Sequence, residues 1–369
     1  MPLRTVCRYK TVTGHRLAVE RASLEAMSVE KRPRKPTIRD VADVAGVSYG
    51  TVSRVLNGGK WVSEDSRHAV EAAIRETGYT ANHHARSLAT GRSNSVAFLL
   101  TEPHHLLFED PTYSLLLRYS AQALTKRGQT LVLLAAGTDD EKRGILRYVE
   151  GGHVDGVMLV SSHESDPFVS SLLGAGVATV CVGLPLGSNL DIPSVSVDEY
   201  TSAREMTRYL RASGHARIAH IAGPQDTPGG RFRLDGFRDE MGSLFKESLV
   251  VVGDFGRVSG ADAVARLEPG SFDAVFAASD SMAVGAIQQL ARAGVRVPDD
   301  VVVAGFDDSG LAADFEPALT TMRQPWQRIS EEMVAMLLDV IAGGEGRTLT
   351  LPTELVIRDS TSRPGGMSE

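Results

Sequence analysis

Between Ser48 and Asn57 the chain reads Ser-Tyr-Gly-Thr-Val-Ser-Arg-Val-Leu-Asn. Val52, Val55 and Leu56 recur at helical spacing and form one apolar face, which leaves Tyr49, Gly50, Thr51, Ser53 and Arg54 on the other. A helix placed like this after a glycine turn is a recognition helix, with its first residues offered to base edges in a major groove. Arg54 carries the donor fork that matches guanine. Ser48, Ser53, Asn57 and Ser63 carry short polar groups suited to phosphate oxygens, and Ser48 and Ser63 also cap helices, two roles that coexist at a helix N-terminus. The chemistry indicated is recognition rather than catalysis. No nucleophile elbow, phosphate loop or metal-spaced cluster occurs, so no cofactor or metal is expected. The adjacent acids Asp307 and Asp308 have the form of an acid/base pair without the rest of a catalytic set. His83-His84 and His104-His105 read as polar surface residues.

Three short helices must hold that constellation. Thr37 with Asp40 three residues later forms a capping box, and Val41, Val44 and Ala45 make an inward stripe that Gly46 stops. Ser63 caps a third helix with Glu64 and Asp65 in its first turn. Its inward face is Val70, Ala73 and Ile74, and Gly78 follows as the stop. Residues 82–89 are a helical candidate too short to be stable alone. From residue 96 the rhythm changes. Apolar runs at 96–100, 131–134, 154–160, 177–182, 218–221, 274–278 and 301–304 alternate with amphipathic segments at 113–127, 199–213, 281–293 and 326–342. Continuous apolar strands between helices predict parallel sheets covered on both faces. Their number predicts two similar subdomains, hinged near 195–198.

The expected fold class is therefore an all-α helix-turn-helix head on an α/β core of two parallel-sheet subdomains. The expected boundaries are a disordered arm over 1–36, the head over 37–80, a hinge helix and linker over 81–94, the core over 95–362 and a tail over 363–369. Charge follows the same division. Residues 1–95 hold 16 Lys and Arg against 9 Asp and Glu, whereas the whole chain has a net charge of −7. A basic head on an acidic body fits a DNA-binding domain joined to one that does not touch DNA. No apolar run is long enough to span a bilayer, the first 30 residues lack the apolar core of a secretory signal, and the two cysteines stand far apart. A cytoplasmic protein that does not engage a membrane is the expectation.

The runs Thr37-Ile38-Arg39-Asp40-Val41-Ala42, Ala45-Gly46-Val47-Ser48 and Thr51-Val52-Ser53-Arg54-Val55-Leu56-Asn57 resemble the signature of the lactose-repressor (LacI/GalR) family, and Asn82 with Ala85-Arg86-Ser87-Leu88-Ala89 continues it. Segments around Arg231, Ser279 and Gly305 are similar to family segments too, so the resemblance covers about residues 37–362. It implies a homodimer on a pseudo-palindromic double-stranded operator. It adds Thr37, Tyr79 and Asn82 to the DNA-binding residues, with Leu88 as a minor-groove wedge. The chain departs from the family pattern at Ala81, where proline is common, at Gly50, which has no side chain to read a base, and at 101–111, a longer loop than usual.

The family core is similar to periplasmic sugar-binding proteins, which implies a small-molecule effector, a sugar or sugar derivative, in a cleft. Arg231 and Asp307 match positions that contact the effector, and their alternative role is an interdomain salt bridge. Phe255 matches a ring-stacking position, and Ser279, Asp280 and Gln324 are further candidates. A purine or nucleoside effector remains open. A stand-alone transport binding protein would share the core but needs a secretory signal and no helix-turn-helix.

Overall fold

The structure is a computed structural model that describes residues 34, 36–56, 61–79, 92–104, 106–187 and 192–362. The chain divides into two compact units, Met1–Asn82 and His83–Glu369.

The first unit contains α1 (Ile38–Ala45), α2 (Tyr49–Leu56) and α3 (Glu64–Thr77). Each start is fixed by a side chain. The Thr37 N–H and hydroxyl donate to Asp40 Oδ2 at 2.6 and 2.7 Å, the Thr51 N–H donates to Ser48 Oγ at 3.1 Å, and the Ser66 N–H donates to Ser63 Oγ at 3.3 Å. Gly46 ends α1 at φ 64°, a left-handed conformation that costs a glycine little. Val41, Ala42, Val52, Val70 and Ala73 form the buried centre, ringed by Ile38, Ala45, Val47, Val55, Leu56, Ile74 and Tyr79. Val44, expected on the inner stripe of α1, is 47% exposed. The stripe runs through Ile38, Val41, Ala42 and Ala45, and residue 44 lies about 200° round the helix from residue 42.

The second unit holds two six-stranded sheets. The first contains β1 (Ser95–Leu100), β2 (Thr130–Ala135), β3 (Gly156–Leu159), β4 (Ala178–Val182), β5 (Ser194–Val197) and β11 (Thr348–Leu351), all parallel. The second contains β6 (Ile218–Ala222), β7 (Val250–Val252), β8 (Ala274–Ala277), β9 (Val302–Asp307), β10 (Thr320–Arg323) and β12 (Glu354–Val356). It is parallel except for the β10/β12 pair. Alternate residues of a strand feed opposite faces. Phe98 and Leu100 pack under α5 (Pro111–Thr125) and α13 (Trp326–Ile341), while Ala97 and Leu99 pack under α6 (Asp139–Glu150) and α7 (Pro167–Gly174). In the second sheet, Phe276 and Phe306 meet α8 (Glu199–Ala212) and α9 (Pro228–Met241). Val275 and Val303 meet α10 (Arg257–Arg266) and α11 (Asp280–Arg292). Two short helices add to these cores: Leu107 of α4 (Leu106–Glu109) packs against the first, and Ala312 of α12 (Leu311–Asp314) is buried in the second.

All seven expected strand runs contain a strand. The sequence reading missed β5, β7, β10, β11 and β12, which are short, and three of them (SVSV, TTMR and TLTL) are at least half polar. It also expected a single hinge near 195–198. The chain crosses between the two sheets at Asp198 and again at two further places. These are residues 324–325, between β10 and α13, and residues 352–353, between β11 and β12. The later crossings were invisible because their strands carry no continuous apolar run. No helix among the described residues is long and apolar enough to cross a membrane.

Candidate functional site

The outward residues of α2 are available in the first unit. Tyr49 is 55% exposed, and Arg54 folds back along the helix, its Nε donating to the Gly50 carbonyl at 3.2 Å. The Thr51 and Ser48 hydroxyls lie 2.9 Å apart. A Cβ at Gly50 would meet its nearest neighbours at 3.7 Å, so nothing in this unit requires glycine there. Tyr79 packs against the buried centre, and Thr37 and Ser63 act as helix caps. Asn57, Asn82 and Leu88, the expected hinge helix over 82–89, residues 1–33 of the arm and the tail over 363–369 lie outside the described residues.

A cavity opens between the two lobes of the second unit, at the carboxyl ends of the strands, the usual ligand position in open α/β sheets. Phe255, Ser279, Asp307 and Gln324 all line it. Gln324 Nε2 donates to Asp307 Oδ1 at 2.8 Å, and the Trp326 indole N–H donates to the Asp307 carbonyl at 2.9 Å. Ser279 caps α11 and donates to the Phe255 carbonyl at 2.8 Å. Phe255 sits at φ 68°, with its ring against Gly223, where any Cβ would overlap it. Asp280 does not reach the cavity wall. It is fully buried and accepts from the Thr321 hydroxyl at 2.6 Å and the Ser309 N–H at 3.2 Å. Burial pushes its carboxyl up to about 7 despite the Thr321 hydrogen bond.

The arginine on the cavity wall is Arg233, not Arg231. Arg233 is buried and forms two hydrogen bonds with Glu199, at 2.6 and 3.2 Å, and a further one with the Ala278 carbonyl. Its guanidinium lies 3.7 Å over the Phe306 ring and 3.6 Å from Asp307 Oδ1. Burial raises the Asp307 carboxyl well above its ordinary range, and Arg233 only partly opposes this.

Arg231 instead takes the salt-bridge role. It pairs with Glu164 of the facing lobe, with Nη1 to Oε1 at 3.2 Å, and its Nε donates to the Gln225 carbonyl at 2.9 Å. A second link lies beside it. His163 bridges Glu102 of its own lobe at 3.0 Å and Asp226 of the other at 2.8 Å, and the Glu164 N–H donates to the Asp226 carbonyl at 2.7 Å. The hydrogen bond to Glu102 raises His163 to about 9 against a smaller opposing effect of burial, so at neutral pH the ring is charged and donates from both nitrogens. Arg231, Glu164, His163 and Asp226 thus clasp one edge of the cleft.

Sequence reasoning missed Glu102, Asp110, Tyr113, Glu199, Arg233 and Trp326 on the cavity wall. A signal existed for one of them. Gly230, Arg233, Leu234, Phe237 and Met241 form the buried stripe of α9, and residue 231 falls off it. The other five come from four separate segments, which no local pattern joins.

Residues 37–82 match the pattern of bacterial regulatory proteins of the lacI family, and residues 207–361 match that of the periplasmic binding protein-like domain. The chain is 42% identical over 338 residues to the HTH-type transcriptional regulator CelR of Thermobifida fusca, covering 89% of this chain and 99% of that one. It is similar to the solved complex of CelR with cellobiose, with a TM-score of 0.70, 40% identity and coverage of 88% and 100%. It is also similar to the lac repressor dimer bound to operator and an anti-inducer, with a TM-score of 0.77, 27% identity and coverage of 89% and 99%.

Proposed function

The chain belongs to the LacI family of bacterial regulatory proteins, and from that premise we propose that it is a sugar-responsive repressor of a carbohydrate-utilisation operon. It acts as a DNA-bound regulator in the cytoplasm rather than as an enzyme. The observation that carries the effector class is the cavity wall. Asp307, Gln324 and Arg233 present directed hydrogen-bonding groups beside the Phe255 and Trp326 rings. That combination suits the hydroxyls and the apolar face of a sugar ring. Among the described residues, Arg233 is the one guanidinium on the wall and is already paired with Glu199, while Glu102, Asp110 and Asp307 add carboxyl groups. A neutral polyol fits this lining, and a phosphorylated effector does not.

DNA reading falls to α2. Arg54, Tyr49, Thr51 and Ser53 face bases and Ser48, Asn57 and Ser63 face phosphates, with support from Thr37, Tyr79 and Asn82. Two heads are needed for a pseudo-palindrome, so the working unit is a homodimer, in line with the relative solved as a dimer on its operator. The segment over 82–89 folds when two copies pair on DNA and Leu88 enters the minor groove. The sugar acts by binding the two lobe arrangements with unequal affinity, and its effect on DNA cannot exceed that difference.

Selection of genomic fragments by the full chain, followed by gel shifts with and without a sugar panel, tests the whole reading. Retention of one palindromic upstream site, released by one sugar, is expected. Salt-sensitive binding with no preferred sequence, or a site indifferent to every sugar, overturns it.

A further inference from the structure

Glu102 belongs to two structures at once. It lines the cavity, and it anchors the clasp on the cleft edge. Among the described residues its two hydrogen-bond partners, the Ser161 hydroxyl and His163 Nε2, both meet Oε1, and Oε2 takes part in neither bond. Burial pushes the Glu102 carboxyl up, but the hydrogen bonds from His163 and Ser161 outweigh it and hold the group below its ordinary range. At neutral pH it is an ionised acceptor. Ser161 is itself held, because the Thr101 hydroxyl donates to its carbonyl at 2.8 Å. On the facing lobe, Asp226 takes the other nitrogen of His163 and directly precedes Thr227, Pro228 and Gly229 of the cavity wall. The turn that carries them is closed on itself. The Thr227 hydroxyl donates to the Pro224 carbonyl at 2.8 Å, and a Cβ at Gly230 would come within 1.9 Å of that same oxygen. The neighbouring Arg231–Glu164 pair differs, because neither of its residues lines the cavity.

We propose that Glu102 supplies the difference in sugar affinity between the two lobe arrangements, held in place for the sugar by the His163–Asp226 link across the cleft. This rests on the sugar reading above and names the group through which the sugar favours one arrangement. With the lobes closed, Asp226 fixes the His163 ring, His163 and Ser161 together fix Oε1, and Oε2 accepts from one sugar hydroxyl. A hydrogen bond to an ionised acceptor is among the stronger ones available to a neutral ligand. Parting the lobes takes Asp226 away from His163. The ring then turns more freely, and the sugar has to order the Glu102 side chain itself, at a cost in entropy. The coupling is reciprocal, so a bound sugar stabilises the closed lobes by the same factor that closure adds to its affinity. Asp226 is a positioning residue in this scheme. It does not line the cavity, and it reaches the sugar through His163 and Glu102.

Calorimetric titration of the full chain with glucose, ribose, cellobiose and maltose tests this. Glu102→Gln, Asp226→Ala, Asp226→Glu, Arg231→Ala and the double variant Glu102→Gln/Asp226→Ala are run beside the unaltered chain. For the sugar that the unaltered chain binds most tightly, Glu102→Gln should weaken binding about tenfold or more and Asp226→Ala about three- to tenfold. The Asp226 side chain is 53% exposed, so the sugar-free melting temperature of Asp226→Ala should stay within a degree or two of the unaltered value. Asp226→Glu keeps the carboxylate and should recover part of the loss, and Arg231→Ala should change affinity less than about twofold. The double variant should bind no more weakly than Glu102→Gln, because one residue acts through the other. The two Asp226 variants carry the test should Glu102→Gln fail to fold. Unchanged affinity in Asp226→Ala, no recovery in Asp226→Glu, or losses that multiply in the double variant each overturn the inference and leave the sugar reading standing. Equal losses in Arg231→Ala and Asp226→Ala do the same, because the sugar would then read closure in general rather than Glu102. An unaltered chain that binds none of the four sugars overturns the sugar reading and the inference together.

Discussion

The head and the cleft use polar residues in opposite ways. The candidate DNA-reading side chains of α2 come from one short stretch, with Tyr49 and Arg54 exposed and Thr51 and Ser53 half-buried, and Arg54 hydrogen-bonds locally to Gly50. The candidate effector-binding side chains come from positions as distant as Glu102 and Trp326, and Arg233 and Asp307 are buried and already hydrogen-bonded. An exposed reading face costs the fold little, because water satisfies its groups until DNA arrives. A buried polar pocket is built into the fold, so altering it disturbs stability as well as binding.

Arg233→Ala should break the contrast most severely. It leaves Glu199 and Asp307 buried without their cation, which costs about 3–5 kcal/mol and abolishes the sugar response. Arg231→Ala removes a half-exposed pair and should leave both largely intact. Thermal melting and calorimetry on the two variants decide this, and equal damage from both would mean that the clasp and the pocket act as one. Arg54→Ala belongs to the other region. It should cost about 1–3 kcal/mol of operator binding and relax preference at one base position per half-site, with the melting temperature unchanged. Loss spread evenly over all DNA sequences would make Arg54 a phosphate contact.

The clasp sharpens the comparison through pH. His163 is held at about 9, above its ordinary value of 6.5, by Glu102 and Asp226, while Glu164 and Arg231 lie alongside. Its stabilising contribution is fully present below pH 6.5 and is lost as pH rises towards 9. Melting of the core should therefore fall by a few degrees across that window, and His163→Gln should flatten this part of the profile. A parallel profile in His163→Gln would assign the pH dependence elsewhere. The smallest effect is expected at Gly50. Alanine fits there, and replacing a helical glycine should stabilise the head by about 0.5–1 kcal/mol. Chemical denaturation measures that gain, and a loss of stability would show a constraint on residue 50 that its surroundings do not reveal.

The head was legible in the sequence almost residue by residue. Its caps at Thr37, Ser48 and Ser63, its stop at Gly46 and the apolar set Val41, Val52, Val70 and Ala73 are local patterns, and a three-helix unit is assembled from local patterns. The alternating strands and helices of the core were legible for the same reason. What only the tertiary structure decided is non-local. A motif drew attention to Arg231, but residues i and i+2 of a helix point about 200° apart, so the arginine that enters the cavity is set by which face of α9 packs on its sheet. Two of the three crossings between the sheets, at Asp198 and at residues 324–325, bring Glu199, Gln324 and Trp326 to the cavity wall although long stretches of chain separate them. The cavity wall is assembled around those crossings. Its composition follows from the way two sheets share one chain, and periodicity along any single segment carries no record of that.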